Sequence, residues 1–461
     1  MAHILSDNWQ IQKMTIVVNW PTYHKALANT STFVRRGQVM QVIGLTIEAQ
    51  GLQAQIGELC FISAKDGGKE IPAEVMGFRD NRTLLMPLGE MRGIGPGSSV
   101  RTSGSLFTVP VGNALLGRVL DGLGNPIDGK GPIHCDAAYP AAGDAPPPLG
   151  RMMISQPLET GVRAIDAFLT IGKGQRMGIF AGSGVGKSTT LGMIARHARA
   201  DISVIALIGE RGREVQEFIE RDLGADGLAK SVVVVSTSDQ PALVRLKGAW
   251  VATAIAEYFR DQGQDVSFLM DSVTRFAMAQ REIGLAIGEP PAMKGYTPSV
   301  FAMLPKLLER TGTGERGTIT GFYTVLVESD DLTEPITDAV RSILDGHIVL
   351  SRELAGQNHY PAIDVLESVS RVMPAITAAE HRQAAGNLRD LLASYEKASD
   401  LINIGAYVQG SNPTIDKAVA LMPAILDFLR QGAHEPTPYE TTLTQLSNIS
   451  KGQAQKKQES K

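Results

Sequence analysis

The spacing of apolar residues changes character along this chain. From residue 24 to 105 they come in short runs cut by glycine: QVMQVIGLTI (38–47), LCFIS (59–63), IPAEVMGF (71–78) and TLLM (83–86), with turns at KDGG (65–68) and GIGPG (93–97). Short strands at that spacing predict a small closed β-barrel. In the middle of the chain the runs lengthen and alternate with helical stretches. Strands are expected at 176–180, 202–208, 232–236, 266–270, 319–327 and 347–350, and helices at 187–198, 214–222 and 242–260. Near-continuous apolar strands separated by helices predict a mostly parallel sheet covered on both faces. From about residue 376 the rhythm is helical, with amphipathic segments over 378–403, 413–431 and 439–449. The expected architecture is therefore multidomain α/β. An N-terminal arm (1–23) precedes the barrel (24–105), a nucleotide-type α/β domain (106–375), a helical domain (376–450) and a polar, disordered tail (451–461).

The stretch GIFAGSGVGKSTT (178–190) sits at the first strand-to-helix junction of the α/β region. A strand, a glycine-rich turn and a helix in that order make a phosphate-binding loop. Gly182, Gly184 and Gly186 free the backbone to turn its N–H groups inward around a polyphosphate, with Ser183, Val185 and Thr189 completing the loop and first helical turn. Lys187 supplies a charge to the β/γ-phosphates, and Ser188 a hydroxyl for Mg²⁺. Ala181 stands where the strict pattern has its first glycine. Ligands of such sheets bind beyond the carboxyl ends of the strands. Two further stretches end there. Asp271 closes the strand VSFLMD (266–271), the place of a metal-side carboxylate. GERGRE (209–214) follows strand 202–208 and offers Glu210 to polarise an attacking water, Arg211 to neutralise phosphate charge and Glu214 to order the metal's waters. Standing alone, such a run would read as a solvated charged turn.

Composition narrows the class. The 461 residues carry a net charge of −4, with 43% hydrophobic and 20% charged residues, an ordinary globular balance with no general polyanion-binding surface. Cys60 and Cys135 are too few and too far apart for a disulfide framework or a zinc site, which fits a reducing compartment. Within 24–105 charge is nearly balanced and Phe33, Phe61 and Phe78 are the only aromatics, which argues against a nucleic-acid-binding barrel. Residues 1–23 hold Trp9, Ile11 and Met14 in a weak helical rhythm, so the arm is either a bare extension or a partner-binding helix.

Taken together, the loop AGSGVGKS, the GERGRE rim, DDLTEP (330–335), YPAID (360–364) and SVSR (368–371) resemble the rotary ATP synthase catalytic subunits. Within that family the chain is most similar to the protein-export ATPases of bacterial flagella and type III secretion injectisomes. The segment KGYTPSVFAMLPKLLER (294–310) leans toward the flagellar member. The resemblance implies an ATP- and Mg²⁺-dependent hydrolase that delivers unfolded substrates to a membrane export gate. It implies Glu210 as the catalytic carboxylate, Asp271 on the metal side, Arg371 as an arginine reaching a neighbour's site, and Tyr360 packing on adenine; a tyrosine buried before a proline is the competing reading of Tyr360. It implies a cytoplasmic homohexameric ring, peripherally associated with the inner-membrane export apparatus. Its partners would be a stator-like regulator on the arm, a central stalk protein, and export chaperones with their substrates, but no nucleic acid.

Two other functions compete. A non-catalytic ring subunit of this family resembles glutamine-bearing versions of the rim, whereas this chain has Glu210. A hexameric RNA translocase shares the nucleotide domain but would want a basic, aromatic barrel.

Overall fold

The computed structural model describes Trp20, Tyr23, His24 and residues 36–65, 68–327 and 331–452. Most of the expected arm and the tail beyond Gly452 lie outside the described residues. Among the described residues the first barrel strand begins at Arg36. Strands β1 (Arg36–Ile43), β2 (Thr46–Gln50), β3 (Glu58–Ile62), β4 (Ile71–Arg79), β5 (Arg82–Pro87) and β6 (Ser99–Leu106) close in the order β1-β2-β5-β4-β3-β6. Alternation along each strand turns one residue in two inward, and Val39, Ile47, Cys60, Ile62, Val75, Leu85 and Val100 fill the interior. The barrel is tied to the next domain by Lys247, whose Nζ lies 2.6 Å from Glu74 Oε2.

The central sheet runs β14-β13-β8-β12-β11-β9-β10-β7, where β7 is Arg118–Asp121, β8 Arg176–Ala181, β9 Ile202–Ile208, β10 Ser231–Ser236, β11 Asp265–Asp271, β12 Thr318–Leu326, β13 Gly346–Leu350 and β14 Ile363–Ser370. From β13 to β7 neighbours on this path are parallel, and β14 joins antiparallel at the edge. Strand β9, ISVIALI, is buried at every position because both faces are covered. Val204, Ala206 and Ile208 pack with Leu246, Ala249 and Trp250 of helix 242–261, while Ile205 and Leu207 join Met177, Leu191 and Ile194 on the other face.

The expected helix over 214–222 is present within a longer helical run, Gly212 to Ala229, that changes type along its length. Gly212–Glu217 is α-helical, Phe218–Leu223 is a π-helical turn, and helix resumes at Gly224–Ala229. The change back to α-helix falls where Gly224 has φ 69°, a conformation glycine adopts without a Cβ clash.

The C-terminal helices Ala379–Asn403, Pro413–Leu429 and Tyr439–Ser450 pack over the phosphate-loop side of the sheet through Leu388, Ile425, Phe428 and Leu446. Arg163 locks the junction: it donates to the carbonyls of Phe428 (2.7 Å) and Arg430, and to Glu435 (2.9 Å) and Thr437 (3.1 Å).

Candidate active site

Strand β8 ends at Ala181, whose carbonyl accepts from Val327 N, and the chain then loops into helix Lys187–His197. Gly184 (φ 80°) and Gly186 (φ 95°) hold left-handed backbone that a side chain would strain. Gly186 is the helix N-cap with no side-chain cap bond, which leaves the first-turn N–H groups directed into the loop. Val185 is buried, pinning the loop from beneath, while Ser183, Gly184 and Ser188 are exposed, Thr189 is half-buried and Gly182 is buried at the strand end. Beside the loop a cleft of about 320 Å³ is lined by Ala181, Gly182, Leu350, Arg352 and Asp364, among others.

Parallel register delivers the remaining groups. β9 and β11 are paired with Leu207 opposite Asp271, so Glu210, just past β9, and Asp271 share the rim. Lys187 Nζ lies 2.6 Å from Asp271 Oδ1 and 3.4 Å from Glu210 Oε1. Thr324 Oγ1 on β12 donates to the same Asp271 oxygen at 2.7 Å. Burial works against the Lys187 charge, but Asp271 and Glu210 outweigh it and hold its pKa above the usual lysine value. Glu210 goes the other way. Burial first, then the charge of Asp271, with a hydrogen bond to Glu214 adding to them, push its carboxyl up to about 7 against the pull of Lys187. Burial also pushes Glu214 up, but hydrogen bonds with Glu210 and Arg211 outweigh that and leave it below the usual glutamate value. Arg211 reaches Glu214 at 2.8 Å and is otherwise largely in solvent.

Tyr360 stands at the loop: a Cβ on Gly186 would lie 3.5 Å from its ring. The residue is 40% exposed, which sets aside the reading of a buried core tyrosine. Arg371 is not brought to the loop. Its backbone N donates to Asp345 O, and Asp345 is bonded to Arg176 at the start of β8, the end of the strand opposite Ala181. Its guanidinium reaches the Leu344 carbonyl at 3.1 Å and that of Arg341 at 3.5 Å.

Sequence reasoning passed over Arg275, Thr324 and Arg352. Arg275 lies in the first turn of helix Val273–Ala286, capped by Ser272. It packs on Gly209, where a Cβ would come within 2.8 Å of its own, and its charge helps to draw Glu210 down. The signal was present in DSVTR (271–275): an arginine one turn into a helix that starts at a rim carboxylate. Thr324 lies inside a buried strand and gave no signal. Arg352 Nη1 approaches the Ser183 carbonyl at 3.5 Å across a contact visible only in three dimensions.

A strand-loop-helix cradle with a lysine held by two exchangeable carboxylates, under a sheet of this order, defines a phosphate-loop nucleoside triphosphatase. Residues 161–370 match the nucleotide-binding domain of the ATP synthase alpha/beta family, residues 39–104 its β-barrel domain, and residues 377–448 the C-terminal domain of the type III secretion ATPase EscN. The chain is 56% identical to the flagellum-specific ATP synthase of Bacillus subtilis over 91% of its own length and 96% of that protein. It is 54% identical to the type 3 secretion system ATPase of Xanthomonas euvesicatoria over 93% and 97%. The assembled EscN ATPase of enteropathogenic E. coli superposes with a TM-score of 0.86 at 48% identity, over 90% of this chain and all of that one. EscN in complex with its central stalk EscO gives 0.83 at 47% identity. The chain belongs to the ATP synthase alpha/beta family, alongside the flagellum-specific and type 3 secretion ATPases, and it is an ATP-hydrolysing enzyme.

The residues on the rim fit Mg²⁺ as well as nucleotide. Ser188, Asp271 and Glu214 offer hard oxygen donors. Among the described residues no group of three or more His, Cys, Asp or Glu could hold a metal on its own. A hydroxyl and a carboxylate are what an ion held chiefly by nucleotide phosphates requires.

Proposed function

We propose that this chain is the Mg²⁺-ATP-hydrolysing motor of a bacterial flagellar protein-export apparatus, acting as a ring of identical subunits. The observation that carries the catalytic reading is the meeting of Lys187, Glu210 and Asp271 at the carboxyl ends of three parallel strands. Loop N–H groups and Lys187 bind the β/γ-phosphates, Lys187 exchanging its carboxylate partners for phosphate oxygens. Ser188 and Asp271 would hold Mg²⁺, with Glu214 ordering its waters, and the ion would supply neutralisation of phosphate charge. Glu210, with a pKa of about 7, takes the proton of a water whose oxygen attacks the γ-phosphorus as the β–γ bridging bond breaks. Tyr360 packs on the base, Arg211 steadies Glu214, and Arg371 of a neighbour meets the charge developing on the γ-phosphate.

The ring, and a central stalk within it, are supported by the assembled EscN and EscN–EscO structures. The stator-like regulator on the arm, the chaperones with their cargo and the export gate rest on the family likeness. No helix of the described residues is long and apolar enough to cross a membrane, in keeping with peripheral attachment to the cytoplasmic side of the inner-membrane apparatus. The injectisome reading has its own support in the 54% identity to a type 3 secretion ATPase.

One experiment separates them: delete the gene and score flagellar protein export and injectisome secretion. Loss of flagellar export, restored by wild type but not by Glu210→Gln, is the expected outcome. The variant should bind Mg·ATP yet turn over about 10²–10⁴-fold more slowly, since an amide cannot act as the base. Unimpaired flagellar export in the deletion would overturn the flagellar assignment.

A further inference from the structure

A proline-rich strap between the barrel and the phosphate-loop domain carries exposed apolar side chains. Leu149 is 102% exposed, Met153 90% and Met152 40%. Isolated exposed apolar residues are ordinary, but these three fall within five residues of one strap. The strap is not slack. Pro146, Pro147 and Pro148 restrict its backbone, and Pro148–Gly150 form a 3₁₀ turn. Arg151 clamps it, donating to the Pro146 carbonyl at 3.3 Å, to Thr311 O at 3.1 Å and to Glu309 O at 2.5 Å. Thr313 Oγ1 holds the Met152 carbonyl at 2.7 Å. A rigid loop that directs leucine and methionine into solvent has already met much of the ordering cost of binding.

Its position says what covers it. Glu309, which Arg151 grips, also pairs with Arg176 at 2.5 Å; Arg176 pairs with Asp345, and Asp345 O accepts from Arg371 N. Ile154, next after Met153, and Val372, next after Arg371, both abut Gly172. The strap and Arg371 therefore share the end of the sheet remote from the phosphate loop. Arg371 is level with Arg176, so about five strand residues at ~3.3 Å each put it roughly 17 Å from its own loop. An arginine there is out of reach of its own loop; on the ring reading it serves another copy's loop, and repeating that contact makes a head-to-tail interface.

We infer that Leu149, Met152 and Met153 form an apolar collar that docks on the phosphate-loop face of the next copy of this chain and seats Arg371 beside that copy's nucleotide. The inference rests on the ring reading above and adds the surface that holds the finger in place. Burial of these side chains supplies attraction and excludes water from the charged site.

The test uses the full chain with Mg²⁺ and a non-hydrolysable ATP analogue, following self-association by sedimentation velocity across protein concentration. ATPase activity is measured over the same concentrations. Leu149→Asp with Met153→Glu should raise both the association midpoint and the concentration of half-maximal activity by at least about tenfold. Its thermal unfolding midpoint should stay that of the wild type, and full turnover should return at high concentration. Leu149→Met with Met153→Leu should behave as wild type. Should the double acidic variant unfold early, Met153→Glu alone, on a side chain already in solvent, carries the same comparison. Unchanged midpoints in the acidic variant, with a wild type that associates, overturn the collar while the ring reading stands. A wild type that stays single and equally active at every concentration overturns both.

Discussion

Arg176 and Arg371 stand at the same level of the central sheet, linked through Asp345, yet their guanidinium groups keep different company. Arg176 is largely buried and held by two carboxylates, Asp345 at 3.0 Å and Glu309 at 2.5 Å. Arg371 is exposed and, among the described residues, its guanidinium reaches only backbone carbonyls. Burial in fixed carboxylate partners commits the first charge to the fold, since removing one partner strands the others. Weak carbonyl contacts leave the second free to find a stronger acceptor. Lys187 resembles Arg371 in this respect although it is buried, because phosphate oxygens compete directly for a cation that Asp271 and Glu210 hold.

The largest expected effect breaks that comparison at Arg371. Arg371→Ala should leave nucleotide binding and the unfolding midpoint near wild type but cut turnover by about 10³–10⁵-fold, the usual range for an arginine supplied by a neighbour. Arg176→Gln should do the reverse, costing about 1–3 kcal/mol of stability while each folded chain stays active. Steady-state rates with thermal melts check both. Two variants with the same phenotype would show that the two arginines do not differ in role.

A middle-sized effect concerns pH. Glu210 must be ionised to accept a proton, and its pKa of about 7 means the carboxylate fraction falls as the medium is acidified. The acid limb of kcat/KM should therefore appear near pH 7, with a roughly tenfold loss per unit below it. Glu214→Gln replaces a carboxylate that accepts from protonated Glu210 with an amide that can donate to the ionised form, so the limb should move to lower pH. A limb unmoved by that substitution, or one near the ordinary glutamate value, would place the proton elsewhere.

The smallest effect is at Tyr360. Tyr360→Ala should raise KM for ATP about 2- to 10-fold with little change in kcat, in line with roughly 0.5–1.5 kcal/mol for an aromatic contact. Tyr360→Phe should be near neutral. A large fall in kcat would mean that the ring shapes the loop through Gly186 instead of packing on the base.

Much of this was legible in the sequence because it depends on local order. Strand β9 is apolar but for Ser203, and β11 ends in Asp271; each shows its position in the sheet directly. The phosphate loop announces its own backbone through Gly184 and Gly186. What escaped depends on packing. Edge strand Ile363–Ser370 went unread because only part of it is buried: Glu367 and Val369 face solvent, and its pairing is antiparallel. The helix Pro298–Leu308 carries Pro305 inside it, which spoils the usual signal. The π-helical turn Phe218–Leu223 has the same apolar spacing as a helix until Gly224 interrupts it. At the site, Arg275 was one helical turn from a residue already chosen, whereas Thr324 meets Asp271 only because β12 and β11 pair in register.

The central claim is that each site is completed by Arg371 of a neighbour, and mixing two damaged chains tests it most directly. Lys187→Ala should by itself lose about 100- to 1,000-fold in rate, as for removal of one electrostatic donor. Arg371→Ala should be at least as poor alone. Within mixed assemblies, some interfaces join an intact Lys187 loop to an intact Arg371, so ATPase activity measured on mixing should rise well above the sum of the two variants. Full activity of Arg371→Ala by itself at every protein concentration would contradict the account.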